Sequence, residues 1–486
     1  MKKSFKIKIK ADGKTIVKEY NRPVTLLKAL GDCGISVDSE CGGRGVCGKC
    51  EVTAAGSLSA VTKRETQLFG QNSQKRLACL AVANGDSQII YNTKKAGFQV
   101  LSEGITPKIE INSGFGAGVG VAIDIGTTTV AAGAYDLATG KLIESFAFEN
   151  PQRAHGGDVV TRMDFALKGG LETLKTEING VINKIKSKAG AKIAVVSGNT
   201  AMLHFAAGLS TDKMAVSPFA PESLFGFEKD GVYFLPCGGA YFGADIVCGI
   251  AACGMADSKN VSFIADIGTN GEMALFDGKD LICCSTAAGP AFEGYGIERG
   301  MPAVNGAVNG VYLNENNTPR YTVIGGGTPA GICGSGLADL AAALLKIGVI
   351  DKSGYMEENY YLTENVYLTP RDVRNLQLAK AAIRGGIETL LGAGGEKNEV
   401  EKFYLAGGMG NSINIESAAA LGIIPADFAK KATLAGNASL SGAAGALLDA
   451  GFLQKISEIA GKCKIIELAD SDLFGENFIK YMAFGG

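Results

Sequence analysis

Two kinds of chemistry-bearing residue stand out along these 486 residues: cysteines in a glycine-rich loop, and aspartates at the ends of apolar runs. In SECGGRGVCGKCEV, Cys41, Cys47 and Cys50 follow a C-x5-C-x2-C spacing, and Cys79 comes later in RLACLAV. Four thiolates can bind iron, and small residues between them let backbone N–H groups turn toward the sulfurs. A zinc knuckle prefers paired C-x2-C units, and only one is present. The aspartates belong to VAIDIGTTTV, residues 121–130, and FIADIGTNGEMAL, residues 263–275. Each reads as a buried strand that ends in an Asp and turns through Gly into hydroxyl or amide side chains. The first offers Asp124, Gly126, Thr127, Thr128 and Thr129. The second offers Asp266, Gly268, Thr269, Asn270 and Gly271. Glycine lets such a turn lie against phosphate oxygens with its N–H groups aimed at the anion. The strand-end Asp can hold Mg²⁺ through water or orient a nucleophile. A third turn, FYLAGGMGN, places Gly407 and Gly408 where backbone can pass close to a flat ring or ribose.

The chain is long enough for two to four domains. With 46% hydrophobic and 20% charged residues and a net charge of −2, it shows no general pull toward nucleic acid or anionic membrane. MKKSFKIKIK lacks the apolar core of a signal peptide. The most apolar run, residues 241–255, is interrupted by Asp245 and is too short to span a bilayer. The expectation is a cytoplasmic protein. There, twelve cysteines argue for metal or redox chemistry before disulfides. With His155 and His204 the only histidines, a Ser-His-Asp triad is hard to build.

Several elements must position these residues. Residues 4–20 read as a hairpin turning at Asp12-Gly13, and residues 23–30 as a short amphipathic helix. Residues 95–117, with Pro107, read as a linker that tethers what precedes it while letting it move. KIAVVSGN is a strand whose end, Asn199 and Thr200, lines a cleft. His204, on the apolar helix that follows, reads as a core residue. Cys237, Cys248 and Cys253 read as core, Cys333 as a lining residue, and adjacent Cys283 and Cys284 as pointing to opposite faces of a strand. Glu293 falls in the first turn of a helix after AAGP. In LQLAKAAIR, Lys380 and Arg384 share a face that is either solvated or lets Lys380 reach a nucleotide.

In their order, Asp124-Ile-Gly-Thr-Thr-Thr, Asp266-Ile-Gly-Thr-Asn-Gly and Leu405-Ala-Gly-Gly resemble the phosphate-1, phosphate-2 and adenosine motifs of the superfamily of acetate and sugar kinases, heat-shock chaperones and actin. There is no G-x-x-x-x-G-K-[ST] run. The cysteine spacing resembles the C-x4-C-x2-C…C of plant-type 2Fe–2S ferredoxins, one residue longer in its first gap. The implied fold is α/β and multidomain. A β-grasp ferredoxin-like domain (1–94) and the linker (95–117) precede a two-lobed RNase H-like, actin-like ATPase domain (118–486), whose second lobe starts near 261.

Nearly the whole chain resembles the reductive activators of corrinoid proteins. The resemblance is carried by the cysteine loop, DIGTTT, SGNTAM, DIGTNGE, AAGPAFEG, GICGSGL, LQLAKAAIR and LAGGMGN. It implies an ATP-hydrolysing iron–sulfur reductase that returns an inactive Co(II) corrinoid to Co(I) for a methyl-transfer system. Cys41, Cys47, Cys50 and Cys79 would hold the 2Fe–2S cluster, the two Asp-Ile-Gly-Thr loops would bind the phosphates of ATP and Mg²⁺, and Gly407-Gly408 would lie by the adenosine. Glu293, Asn199 and Asp266 are the candidates for orienting the attacking water. The partners implied are a corrinoid protein on a separate chain and an electron donor or reductant, with a homodimer left open. Larger members carry an extra domain where about 25 residues stand here. Activators of 2-hydroxyacyl-CoA dehydratases place a Cys just before an A-A-G turn, where this chain has Thr286. A small-metabolite kinase gated by its cluster, and a nucleotide-binding switch without turnover, are the readings from other classes.

Overall fold

The structure is a computed structural model that describes residues 4–11, 13–35, 37, 39, 43–45, 48–70, 73–91, 104–394, 399–410 and 412–485. These fall into two compact units, one drawn from Met1–Ala96 with Glu149–Ile178, the other from Gly97–Phe148 with Asn179–Gly486.

Strict alternation builds the first unit. In β1 (Phe5–Ala11), Phe5, Ile7, Ile9 and Ala11 point inward and the lysines outward. It pairs antiparallel with β2 (Lys14–Tyr20). After β3 (Val24–Thr25), Thr25 caps α1 (Leu26–Gly31), whose Leu26, Ala29 and Leu30 complete the apolar face. With β4 (Glu51–Leu58), β5 (Lys75–Leu77) and β6 (Val82–Tyr91), the sheet runs β2-β1-β6-β4-β5, and β3 pairs with β6. Between β4 and β5, α2 (Lys63–Phe69) opens on a capping box of Thr62 and Glu65. This is the expected β-grasp arrangement. The later piece of this unit holds α3 (Val159–Phe165) and His155, which meets Glu177 at 2.9 Å and stacks on Phe165 at 4.3 Å.

The second unit repeats one design twice. Strands β7 (Val119–Ile125), β8 (Thr129–Asp136) and β9 (Leu142–Glu149) lie side by side in sequence order. On the other side of β7, β10 (Ile193–Gly198) pairs parallel, then β12 (Val232–Phe234), with β11 (Phe227–Lys229) at the edge. In the second lobe, β13 (Ser262–Ile267), β14 (Gly271–Phe276) and β15 (Leu281–Thr286) form an antiparallel meander. Strand Lys402–Ala406 pairs parallel with β13, and strand Ala432–Gly436 parallel with that. The helix α4 (Leu171–Ala189) precedes β10, and α5 (Thr200–Ala207) and α6 (Ala244–Ala252) follow it. His204 is a satisfied core residue of α5, with Nδ1 2.7 Å from Thr200 O and Nε2 accepting from Ser223 N–H. Helices α7 (Gly334–Lys346) and α8 (Pro370–Ala393) are buried around most of their circumference, and their apolar side chains enter the second lobe's core.

Residues 104–113, read from sequence as linker, are bound along this unit. Ile105 N–H donates to Ala435 C=O (2.9 Å), Asn112 N–H to Leu448 C=O (2.9 Å) and Ser113 Oγ to Leu447 C=O (2.7 Å). Residues 95–103 of that expectation lie outside the described residues. Cys237, Cys248, Cys253, Cys283 and Cys284 are all buried, and burial pushes their thiols up, Cys237 and Cys253 to about 12. Such thiols are inert at neutral pH. Among the described residues no helix is long and apolar enough to cross a membrane.

Candidate nucleotide site and thiol site

Each Asp-Ile-Gly-Thr loop is the turn of a hairpin. Gly126 N–H closes the first onto Thr129 C=O (3.0 Å), and Gly268 N–H closes the second onto Asn270 C=O (2.9 Å). Because β7 and β13 are buried on both faces, they deliver Asp124 and Asp266 at their ends into one cavity of ≈ 330 Å³ within the second unit. Both loops line it, as do Gly407, Gly408 and Asn199. So does Cys333, whose thiol rests on Val308 C=O at 3.3 Å.

Asp124 is held by the helix Ala438–Leu448: Asn437 Nδ2 donates to its Oδ2 (2.9 Å) and Ser439 Oγ to its Oδ1 (2.7 Å). Glu293 lies in a single 3-10 turn, Pro290–Glu293, and not in the longer helix the sequence suggests. It joins the two loops. Its Oε1 accepts from Thr269 N–H (2.8 Å) and Thr269 Oγ1 (2.6 Å), and its Oε2 accepts from Thr128 Oγ1 (2.8 Å).

Two further carboxylates line the cavity. Asp245 enters from the first turn of α6. Glu272 sits directly across from Asp266 in the β13–β14 ladder, so both side chains share one face. Burial pushes the Asp245 carboxyl up to about 7, with the Asp124 charge adding to it. Burial, then the charges of Asp245, Asp124 and Glu293, push Asp266 up to about 8. Glu272 is raised well above the ordinary range by burial and by Asp245 and Asp266. Burial also raises Asp124, against the pull of Ser439 and Asn437. Among the described lining residues there is no Lys, Arg or His. A polyanion that enters meets carboxyls whose ionisation is already disfavoured, and a divalent cation would offset the charge of both. No three acidic, His or Cys side chains among the described residues converge closely enough to hold a metal alone. That suits Mg²⁺, which takes one or two carboxylates, waters and phosphate oxygens.

Gly407 packs tightly against the second loop's Asp. Its φ is +79°, and an added Cβ would lie 2.2 Å from Asp266 Oδ1. Gly407→Ala is therefore expected to weaken ADP binding about tenfold or more through displacement of Asp266 and backbone strain. Calorimetric titration, with circular dichroism to verify the fold, measures it.

Two residues expected at the nucleotide are elsewhere. Gly271 opens β14 and faces α8, where a Cβ would lie 2.2 Å from Ile383 Cδ1; its role is packing. Lys380 is fully buried, and its Nζ donates to Tyr481 C=O (2.6 Å) and Ala483 C=O (2.5 Å). It anchors the C-terminal segment, and neighbouring Arg384 stacks on the Tyr481 ring at 4.5 Å, so this face is not solvated either. Thr200 turns from the cleft to Gly239 C=O (2.7 Å).

Asp245, Glu272, Asn437 and Ser439 line the cavity in addition to the residues that the sequence motifs assign to it. Signals existed. Asp245 is the one charge in the apolar run 241–255. Ala-Gly-Asn-Ala-Ser-Leu (435–440) repeats the strand–Gly–Asn–helix pattern of Ser-Gly-Asn-Thr-Ala-Met (197–202), and both asparagines cap helices beside the cavity.

In the first unit, Cys50 and Cys79 bring their sulfurs to 3.3 Å with no disulfide. Two thiolates on one tetrahedral metal at about 2.3 Å stand roughly 3.7 Å apart, so this pair is at chelating distance. Buried Glu65 fixes the approach to Cys79: it accepts from Arg76 Nε (2.9 Å) and Leu77 N–H (3.0 Å). Burial works against ionising Glu65, and its bonds from Arg76, Thr62 and Leu77 more than offset that. Gly45, at φ +78°, packs where a Cβ would lie 2.7 Å from Leu80 Cδ2. Cys41 and Cys47 lie outside the described residues.

Comparison with known proteins matches the chain to domain families. Residues 9–84 match the 2Fe-2S iron-sulfur cluster binding domain, 119–258 the RACo middle region, and 260–486 the C-terminal domain of RACo, the ASKHA domain. The chain is similar to the corrinoid activation enzyme RamQ of Eubacterium limosum, 32% identical over 422 residues covering 75% of this chain and 70% of that protein. It is also similar to the Co(II) methylated amine-specific corrinoid protein reductase of Methanosarcina barkeri, 27% identical over 417 residues (75% and 77%). The solved reductive activator for corrinoid, iron-sulfur protein superposes with a TM-score of 0.67 at 27% identity, covering 99% and 98% of the two chains. A ferredoxin fold with paired thiols, an acidic ATPase cavity and these likenesses lead to one conclusion: the chain belongs to the family of reductive activators of corrinoid proteins.

Proposed function

We propose that this chain uses ATP to drive one electron onto the Co(II) corrinoid of a separate protein, returning it to Co(I) for methyl transfer. The observation that carries the reading is the acidic cavity, with no basic side chain among its described lining residues, built into the same chain as a ferredoxin fold with a thiol pair at chelating distance. Cys50 and Cys79, with Cys41 and Cys47, hold the 2Fe–2S cluster, which when bound supplies one low-potential electron. A plant-type cluster lies near −400 mV, and an acceptor ~100–200 mV lower costs roughly 2–5 kcal/mol per electron. Binding that favours one of two conformations can supply that difference.

In the cavity, the N–H and hydroxyl groups of Thr127, Thr128, Thr129, Thr269 and Asn270 cradle the phosphates. Asp124 and Asp266 hold Mg²⁺ through water, and Asn437 and Ser439 fix the rotamer of Asp124. Gly407 and Gly408 flank the adenosine. Glu293, raised on its 3-10 turn between the loops, orients the attacking water. An external donor refills the cluster, and the cytoplasm, where thiols stay reduced, is the compartment that suits it.

The test mixes the anaerobic protein with a reductant and a Co(II) corrinoid protein and follows Co(I) absorption. ATP-dependent appearance of Co(I) is expected. Steady ATP loss that yields a phosphorylated metabolite and no Co(I) would overturn the reading.

A further inference from the structure

The three donors that tie Glu293 in place are the kind that a phosphate loop offers its ligand: a backbone N–H and a hydroxyl from Thr269, and a hydroxyl from Thr128. One carboxylate takes all three, with one oxygen on each loop. Hydrogen bonds that a carboxylate accepts from hydroxyl and amide donors are about twice as strong as those between neutral groups.

We propose that Glu293 is an internal stand-in for phosphate. In the nucleotide-free protein it bridges the two loops and keeps the donors satisfied. ATP must displace it to reach Thr128 and Thr269, and only then is the carboxylate free to face the water beyond the terminal phosphate. Nucleotide entry and the arming of the water-orienting group become one event, and the nucleotide-free cavity stays latched. This rests on the reading of the cavity as an ATP site.

The latch makes an unusual demand: removing a residue of the site should improve binding. With Mg²⁺ and a β,γ-imido ATP analogue, Glu293→Ala is expected to bind roughly tenfold more tightly than wild type, because no charge-assisted bonds have to be broken first. Its ATP turnover should fall about a hundredfold or more. Loss of one negative charge would tighten binding by itself, so Asp245→Asn is the control, with all variants compared at pH 8, above the point to which burial raises Asp245: it removes a charge from the same cavity and no bridge. The nucleotide-free melting temperature separates the two causes. It should fall for Glu293→Ala, where the loop-to-loop bonds lost outweigh the repulsion relieved, and rise for Asp245→Asn, where repulsion is relieved and the Oδ1 that accepts from Ile246 N–H is kept.

An affinity gain for Glu293→Ala no larger than that of the control, or an unchanged or higher melting temperature, overturns the proposal. Neither measurement needs a corrinoid partner, so failure of Co(I) formation is a separate result. Absence of analogue binding to the wild type overturns both readings.

Discussion

Cys50→Ala is expected to abolish ATP-dependent Co(I) formation, by about a thousandfold or more, while nucleotide binding stays within roughly twofold of wild type. The fold should survive. Cys50 is 1% exposed in the core that holds Val52, Leu77 and Ala81. Trading sulfur for a methyl there leaves a small void that costs on the order of 1 kcal/mol. The chemistry should not survive, because Cys50 is one member of the thiol pair at 3.3 Å. Every described residue that lines the nucleotide cavity lies in the other unit. Visible absorption and electron paramagnetic resonance read the cluster, calorimetric titration reads the nucleotide, and Co(I) absorption reads the output. Reduction at the wild-type rate with the cluster signals gone would sink the assignment of this thiol to the electron path.

What sequence makes legible here is what is local. Asp-Ile-Gly-Thr appears twice because two lobes solve the same problem, ending a buried strand in a turn whose N–H groups face a cavity. Apolar run, Asp and Gly lie within six residues, so the pattern survives without tertiary knowledge. Lys380 and Arg384 show the opposite case. Their i, i+4 spacing is that of a solvated helix face, and they are covered by residues a hundred positions later that take the ammonium on two carbonyls. Gly271 belongs to the same motif as Gly268, yet it serves helix packing against Ile383. A motif fixes the backbone path; which glycine faces the ligand is decided by what packs on the other side. The stretch 104–113 looks like linker because its own side chains bury little, and its order comes from carbonyls of Ala435, Leu447 and Leu448. Asn437 and Ser439 escaped because their partner, Asp124, is more than three hundred residues away.

Asp266→Asn is expected to stabilise the nucleotide-free protein and disable it together. Burial, with Asp245, Asp124 and Glu293 nearby, holds the folded carboxyl up to about 8. In the unfolded chain an Asp ionises near 3.9. Above about pH 4 the unfolded chain releases a proton that the fold keeps, so the group's contribution to stability declines from there to about pH 8 and is constant beyond. Asparagine has no such proton, and its amide occupies nearly the volume of the neutral acid. At pH 8 the nucleotide-free variant should melt several degrees above wild type, and the gap should close toward pH 4, since about 1 kcal/mol moves a domain of 150–250 residues by roughly 2–4 °C. Mg²⁺-ATP should reverse the order. The metal needs the ionised carboxylate, and its charge repays the proton lost, so wild type gains a ligand-induced shift that the variant largely lacks. ATP-dependent Co(I) formation should fall by about 10²–10⁴-fold with cluster absorption unchanged. Melting curves across pH, with and without Mg²⁺-ATP, decide the first half; a variant no more stable than wild type at pH 8 removes the account of a strained acid kept for its metal. Co(I) formation at the wild-type rate removes the second, because the coupling of ATP to the electron would then run through some other group.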